Sequence, residues 1–346
     1  MREYAGLDVS LRTTSICVVD EDGAVLHRGT VVTDPEAVAQ HFAENGIAPD
    51  RIVHEAGQLS IWLQRGLVRL GLPAVCIDAR LAHKALSAKL NKSDRADAEG
   101  LAQLARTGWF TPVHVRSEQA DRLRTLIGAR ERLIRLRKDL EGHVRGVLKT
   151  YGIRMSGCGH RCQREGFREQ LAAAGKTDPA LAAIADGFCA AHQTLCAAAE
   201  ALETELKAIA RESRLAQRLM TVPGIGPIVS LSFMALVDDP ARFRRTDDIG
   251  AFLGLTPRRY QSGETNYSGR ISKCGDTPMR ALLFEAATCL IRKVKRFSPM
   301  KSWAVRLARR RGIKKATVAT ARKLAVILLA IWRDGTEFRS AKEANA

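Results

Sequence analysis

Tyr4-Ala5-Gly6-Leu7-Asp8-Val9 is a short apolar run carrying an acid near its end, and its reading decides the fold of the first hundred residues. A run of this length and composition predicts a buried strand with Asp8 near its exit. Two more strand-like runs follow, residues 15–19 and 24–30, joined by the turn Asp20-Glu21-Asp22-Gly23. Asp34-Pro35-Glu36 then starts a helix, with proline at the first helical position. Residues 51–54 form the next predicted strand, and Glu55 stands at its end. A helix over about 59–70, a strand at 74–77 and a helix over 93–107 complete the region, the last opened by Ser93 as N-cap. Three meandering strands, then helix, strand, helix, strand, helix, predict an α/β layer with a mixed sheet. That order fits an RNase H-like arrangement better than a purely parallel Rossmann one.

Beyond residue 116 the period changes. Leu123, Leu126, Leu133, Leu136, Leu140, Val144, Val147 and Leu148 repeat at helical spacing over about 117–150, with arginine thick on the other positions. A second helix, rich in Ala, Leu and Glu, runs over about 178–212. Two long antiparallel helices joined by a Gly- and Cys-containing connection predict a coiled-coil arm. From about 216 a third region begins with Val222-Pro223-Gly224-Ile225-Gly226-Pro227, a turn of the helix-hairpin-helix kind. Its backbone N–H groups at a helix start can take a phosphate, although any tight helical turn reads similarly. The expected organisation is an RNase H/RuvC-like domain over 1–112, a helical arm over 113–214 and a mostly helical C-terminal domain over 215–346.

Charge follows that division. The 346 residues carry a net charge of +18, yet residues 1–110 hold 12 Lys+Arg against 14 Asp+Glu. The excess therefore lies in the body, and thirteen Lys/Arg fall between Arg292 and Lys323 alone, with Arg309, Arg310, Arg311, Lys314 and Lys315 at its centre. A near-neutral first domain followed by a basic body points to a polyanion partner, above all nucleic acid. The eight cysteines contain no C-x-x-C pair and no signal peptide precedes the first strand, so the expected location is the cytoplasm, at the nucleoid when active. No apolar stretch reaches the roughly 18 residues of a membrane span. The Ala325–Trp332 run reads as a buried helix.

Against this basic background four carboxylates stand out: Asp8, Glu55, Asp94 and Asp97. Divalent cations about 4 Å apart can bracket a phosphodiester, one activating the attacking oxygen and one easing the leaving oxygen. Mg²⁺ (or Mn²⁺) takes hard oxygen ligands, so acids from separate elements must converge. Asp8 and Glu55 end neighbouring strands. Asp94 and Asp97 are three apart and share a helix face. Each has a plainer reading as a turn cap, an arginine partner or a complement to the helix dipole, while Asp50 and Asp78 are loop acids. Near the distal arginines, Ser262, Ser268, Ser272, Tyr260 and Tyr267 are rival hydroxyls that spacing does not separate. Cys158-Gly159-His160-Arg161-Cys162 has no second ligand pair in a clear array, and its expected role is structural or incidental rather than zinc binding.

The blocks Gly6-Leu7-Asp8, His54-Glu55-Ala56-Gly57 and Asn91-Lys92-Ser93-Asp94-Arg95-Ala96-Asp97-Ala98 resemble those of the DEDD transposases of the insertion sequence 110 family. So do Pro223-Gly224-Ile225-Gly226, Phe252 to Tyr260, Ser262-Gly263 and Ser272-Lys273-Cys274-Gly275, in order over nearly the whole chain. The resemblance implies a RuvC-like domain with Asp8, Glu55, Asp94 and Asp97 as its metal-binding quartet, and a distal domain whose nucleophile is Ser262. It implies site-specific recombination guided by a structured RNA that pairs with donor and target DNA. It also implies dimers that join into a tetramer, the carboxylates of one subunit meeting the serine of another. Arg258, Arg259, Arg270 and Lys273 would clamp the phosphate oxygens. The alternatives from other classes are a junction nuclease that uses water in place of the serine and a non-catalytic binding scaffold. An actin-like ATPase also begins G-L-D but would need later Gly-rich phosphate loops, which the chain lacks.

Overall fold

The computed structural model describes residues 2–86, 94–156, 161–263, 265–295 and 298–338, and the chain forms two compact units, Met1–Arg116 and Ser117–Ala346. In the first, the strands are β1 (Tyr4–Val9), β2 (Thr13–Val19), β3 (Val25–Val32), β4 (Arg51–Glu55) and β5 (Ala74–Ile77). They form one sheet in the order β3-β2-β1-β4-β5. β1 pairs antiparallel with β2 and parallel with β4; β2–β3 is antiparallel and β4–β5 parallel. The expected mixed sheet is therefore present.

Both faces of the sheet are covered, which explains why its central strands read as nearly continuous apolar runs. On one face Ala5, Leu7, Ile16, Val18 and Ile52 pack with Val38 and Phe42 of α1 (Pro35–Glu44) and Leu63 and Leu67 of α2 (Ser60–Arg69). Asp34 caps α1 by accepting from the N–H groups of Glu36 and Ala37. After β5, Asp78 accepts from the Arg80 N–H as α3 (Ala79–Leu86) begins, a helix the sequence reading did not anticipate. α4 (Asp94–Thr107) covers the opposite face with Ala98, Leu101, Ala102, Leu104 and Ala105. Ser93, its expected cap, lies outside the described residues.

The second unit starts with α5 (Glu118–Thr150), capped by Ser117, and continues through α6 (Arg164–Gly175) to α7 (Pro179–Glu212). α5 and α7 run antiparallel: Arg130 pairs with Glu203, while Glu141, further along α5, meets His192 earlier on α7. At about 1.5 Å per residue each spans roughly 50 Å. The expected long helical pair is present. Its connection, however, holds α6, whose Phe167, Leu171 and Ala174 pack with Val144, Leu148, Leu181 and Ala185. Phe167, Leu171 and Ala174 share a helix face, but the Gly and Cys residues around them hid the period. At the arm's base, Leu123, Leu206 and Ala210 share a core with Ala216 of α8 (Arg214–Met220) and Leu231 and Ala235 of α9 (Pro227–Val237). The arm and the distal helices thus belong to one packed body.

The rest of that body is α10 (Asp248–Phe252), the two-stranded ribbon β6 (Pro257–Ser262) and β7 (Thr265–Ile271), α11 (Thr277–Arg292), α12 (Pro299–Arg311) and α13 (Ile313–Asp334). The turn before α9 is pressed against α11: Gly224 has φ +91°, and a Cβ there would lie 2.7 Å from the Ala286 carbonyl oxygen. Ala325–Trp332 lies within α13, with Leu328 and Leu329 buried, as expected. Among the described residues no helix is long and apolar enough to cross a membrane.

Candidate active site

The direction of α4 decides what the acids can do. Asp8 pairs with Ser15 across the antiparallel ladder, and the parallel ladder runs from Tyr4–Arg51 to Leu7–His54, so Asp8 and Glu55 occupy its next step side by side. Strand alternation puts Tyr4, Gly6 and Asp8 on one face, and Arg51, Val53 and Glu55 on the same face. That face is the one α4 covers, since Val53 packs with Leu101 and Ala105. Arg51 donates to the Ala105 carbonyl oxygen (2.9 Å) at the entry of β4, while a Cβ on Gly6 would lie 2.2 Å from both the Ala98 oxygen and the Ala102 nitrogen. α4 therefore runs opposite to β1, and its N-terminus, carrying Asp94 and Asp97, points to the edge where β1 and β4 end. Asp8, Glu55 and Asp97 are all half-buried. The carboxyl ends of parallel strands are where open α/β sheets place ligands.

Glycine at position 6 is dictated by this approach, since only a residue without Cβ lets helix backbone lie on strand backbone so closely. Three side-chain contacts then fix α4 lengthwise. Glu99 pairs with Arg28 of β3 (2.6 Å), Gln103 donates to the Gly23 carbonyl oxygen (2.7 Å) and Arg106 donates to that of Glu21 (3.2 Å). The Asp20–Gly23 turn thus serves as an anchor for the helix that presents the acids.

The donors on this edge are carboxylate oxygens, a set that suits a hard divalent cation. Imidazole is kept away: His54 points to the other face, where its Nε2 donates to Gln64 Oε1 (2.7 Å), and burial pushes its pKa down. The Gln64 amide is oriented by its own bond to the Ala74 carbonyl oxygen. Among the described residues no three His, Cys, Asp or Glu side chains already stand close enough to share an ion. The side chain of Asp94, the fourth acid, lies outside the described residues.

Ser262 belongs to the second unit. It ends β6 and pairs with Thr265 across the ribbon, beside Gly263 at φ +54°. Every described residue from Pro257 to Arg270 is exposed, including Arg258, Arg259 and Arg270. The two strands form an exposed ribbon with Gly263 in its turn, and the ribbon's lack of an apolar face leaves no period to read in the sequence. Its base is held firmly. Arg280 of α11 donates to the carbonyl oxygens of Leu253 (3.2 Å), Cys274 (3.3 Å) and Gly275 (3.0 Å). Gly254 and Gly275 have φ of +66° and +96°, and a Cβ on either would fall within 2.1 Å of a backbone oxygen of the other strap. Lys273 takes φ +57° at the same corner. Nothing in the sequence singled out Arg280, because an arginine on a helix carries no mark of the carbonyls it meets.

Arg309, Arg310 and Arg311 end α12 and are exposed, as are Lys314 and Lys315 in the first turn of α13 across Gly312 (φ +84°). They form one basic corner. The arginines suit the C-terminal dipole of α12, whereas the lysines sit against the N-terminal dipole of α13, a placement that helix stability alone disfavours. Of the Cys/His cluster, Cys158 and His160 lie outside the described residues, and Cys162 is exposed.

A family model described as Transposase IS116/IS110/IS902 family matches residues 216–301, and a DEDD-type model described as Transposase matches residues 5–153. The transposase for insertion sequence element IS1111A of Coxiella burnetii is 30% identical over 333 residues, covering 94% of this chain and 88% of that protein. A probable family 20 transposase of Pseudomonas aeruginosa is 33% identical, covering 72% and 75%. Thermus thermophilus RuvC aligns with 32% of this chain and 99% of its own at 19% identity, with a TM-score of 0.25. The class is thereby defined: the chain is a transposase, an enzyme of phosphoryl transfer on DNA. It belongs to the IS116/IS110/IS902 family.

Proposed function

We propose that this transposase is an RNA-guided, site-specific recombinase that cuts and rejoins DNA through a covalent phosphoserine at Ser262. The carrying observation is the shared edge at which Asp8, Glu55 and the start of α4 meet, on the face that α4 covers. In this reading the first unit is RNase H/RuvC-like and Asp8, Glu55, Asp94 and Asp97 hold Mg²⁺ or Mn²⁺. The bound cations supply charge neutralisation at the phosphate and ease loss of the hydroxyl proton. Ser262 Oγ attacks the scissile phosphorus as its proton passes to water, from which the departing oxygen takes one. The phosphorus–oxygen bond to the departing strand breaks, and that strand leaves as a free hydroxyl once protonated. A hydroxyl of a new strand then attacks the phosphoserine and returns Ser262 to its starting form, so the bond is conserved rather than hydrolysed.

Arg258, Arg259, Arg270 and Lys273 neutralise non-bridging oxygens beside the serine. The corner of Arg309, Arg310, Arg311, Lys314 and Lys315 holds nucleic-acid backbone, as does the helical turn before α9 through its backbone N–H groups. A structured guide RNA pairs with donor and target, and dimers joined into a tetramer bring carboxylates and serine from different subunits together. The arm is the segment for subunit contact, and the site of action is the nucleoid.

Protein purified with its RNA, incubated with end-labelled element DNA and Mg²⁺ and run on a denaturing gel, is expected to show a protein–DNA adduct. Ser262→Ala should bind DNA and give none. Cut ends without an adduct in the unaltered protein would favour water as the attacker and overturn the serine. Sequencing the RNA that co-purifies tests the guide: no structured species, or cutting unchanged after RNase treatment, refutes it.

A further inference from the structure

The ribbon that carries Ser262 also carries two aromatic rings in water. Tyr260 and Tyr267 face each other across the ladder, with ring centroids 5.5 Å apart and planes 31° from parallel. They are 54% and 59% exposed, an unusual state for paired aromatics with no core to join. Tyr260 and Ser262 are two residues apart on one strand, and Tyr267 and Thr265 are their partners on the other, so all four share a ribbon face. One strand repeat of about 7 Å separates the tyrosine pair from the serine pair. Arg259 projects from the opposite face, and the ribbon sequence holds three arginines against one glutamate, Glu264.

The pair adds some cross-strand support to the ribbon, but it is not what anchors the ribbon. Its base is fixed by Arg280 and by the Gly254–Gly275 close approach, well away from the rings. Exposed π-faces on an arginine-bearing ribbon are what unpaired nucleobases bind, and such stacking tolerates any base because each has a π-face. A second copy of the chain would instead favour an apolar patch free of charge.

We infer that Tyr260 and Tyr267 form a stacking platform for an unpaired nucleobase of the DNA strand next to the phosphate that Ser262 attacks. The assignment to that phosphate rests on the phosphoserine reading; the stacking itself does not. By holding the neighbouring base out of the duplex, the platform fixes the phosphate one strand repeat away, opposite the hydroxyl. The tyrosines are positioning residues, and the order in which they act is base capture first, attack second.

The test uses full-length protein and a short single strand of dT carrying one central 2-aminopurine, with a duplex of the same length beside it. Tyr260→Ala/Tyr267→Ala is expected to weaken single-strand affinity roughly 5- to 150-fold and to abolish the 2-aminopurine quench. Duplex affinity, set by phosphate contacts, should change less than twofold, and Tyr260→Phe/Tyr267→Phe should restore both readouts. Equal loss on single strand and duplex, or no loss, overturns the proposal. A change in oligomeric mass in the alanine variant overturns it in favour of a subunit contact. Loss confined to an rU strand overturns the choice of DNA. Ser262→Ala separates the two readings: an adduct that survives in it sinks the serine, while an intact single-strand preference there leaves the platform standing.

Discussion

Gly6→Ala links the packing of the first unit to its chemistry. The new Cβ would lie 2.2 Å from the Ala98 oxygen and the Ala102 nitrogen and 2.8 Å from the Leu101 carbonyl carbon. All three are backbone atoms of α4, so no side-chain rotation relieves the overlap. Ordinary contact needs about 3.5 Å, which requires the helix to rise by about 1 Å. Asp97 adjoins Ala98 and moves with it, away from Asp8 and Glu55. Overpacking of this kind costs about 1–3 kcal/mol of stability, and misplacing reacting groups by about 1 Å lowers rates on the order of 100-fold. Urea midpoints and the rate of adduct formation at saturating DNA measure the two effects. The control is Gly57→Ala, beside the same acids, where a Cβ meets nothing within 4 Å; it should be neutral in stability and rate. Full rate with an unchanged midpoint in Gly6→Ala would refute the account of α4 as the support that sets the acids.

Arg280→Ala removes three hydrogen bonds to the ribbon base and should cost locally about 1.5–3 kcal/mol; faster amide exchange over residues 257–271 is expected, and unchanged protection counts against the clamp. In the arm, Glu141 joins Arg137 (3.2 Å) and His192 (3.1 Å), with all three buried and two Arg137 nitrogens lacking a well-aligned acceptor. Glu141→Ala leaves a charge buried without its partner and should cost about 3–5 kcal/mol in urea, whereas replacing Arg137 and Glu141 together by Met and Leu should cost far less. Equal losses in both variants would contradict that reading. Burial also pushes the His192 pKa down, so the neutral imidazole favours the fold above the ordinary histidine value and this support fades as pH falls through it. Glu203, held by Lys207 and Arg130, has its pKa lowered to about 2. Its contribution is complete above the ordinary carboxylate range and is lost as pH falls towards 2. The side chain is 34% exposed, so this contribution is below about 1 kcal/mol. Melting curves of Glu203→Gln should be flatter than the parent's over that interval.

Legibility followed the physics of each segment. The central strands of the first unit read well because both faces are buried, and the turns carry their own residues, as Asp20–Gly23 and Asp34-Pro35 do. α5 and α7 read within a residue or so, since periodicity persists over more than thirty positions and Ser117 and Asp178 cap them. α3 and α6 are shorter, and their apolar positions were too few to outweigh neighbouring glycine, cysteine and charge. The ribbon was hidden for a different reason: an exposed hairpin has no buried face, hence no alternation. Among the acids, the strand ends were legible from position alone. That α4 runs back along β1, so that Asp97 arrives at the same edge, was carried by Gly6, whose meaning appears only once its neighbour across the gap is known.

The two supports differ in a way that bears on how the chemistry is divided. Asp8, Glu55 and Asp97 are carried by elements whose backbones touch, and such contacts allow no adjustment of distance without unfolding part of the unit. If these acids hold a metal, as proposed, they need this fixity, because a cation between carboxylates loses its geometry within a few tenths of an ångström. Ser262 stands at the far end of a two-stranded ribbon, a structure too small to be stable alone in water. Its order comes from the Arg280 clamp and the Gly254–Gly275 crossing at one end. In the proposed phosphoserine reading, a serine that attacks one strand and passes it to another would gain from being presented on such a lever. The side chains around it are arginines and exposed tyrosines rather than a packed pocket, so its neighbours are suited to gripping a flexible strand. A single rigid pocket holding acids and serine together would serve hydrolysis equally well. In the proposed phosphoserine reading, acids on a fixed support and a serine on a ribbon would let the serine carry a strand while the acids stay in place.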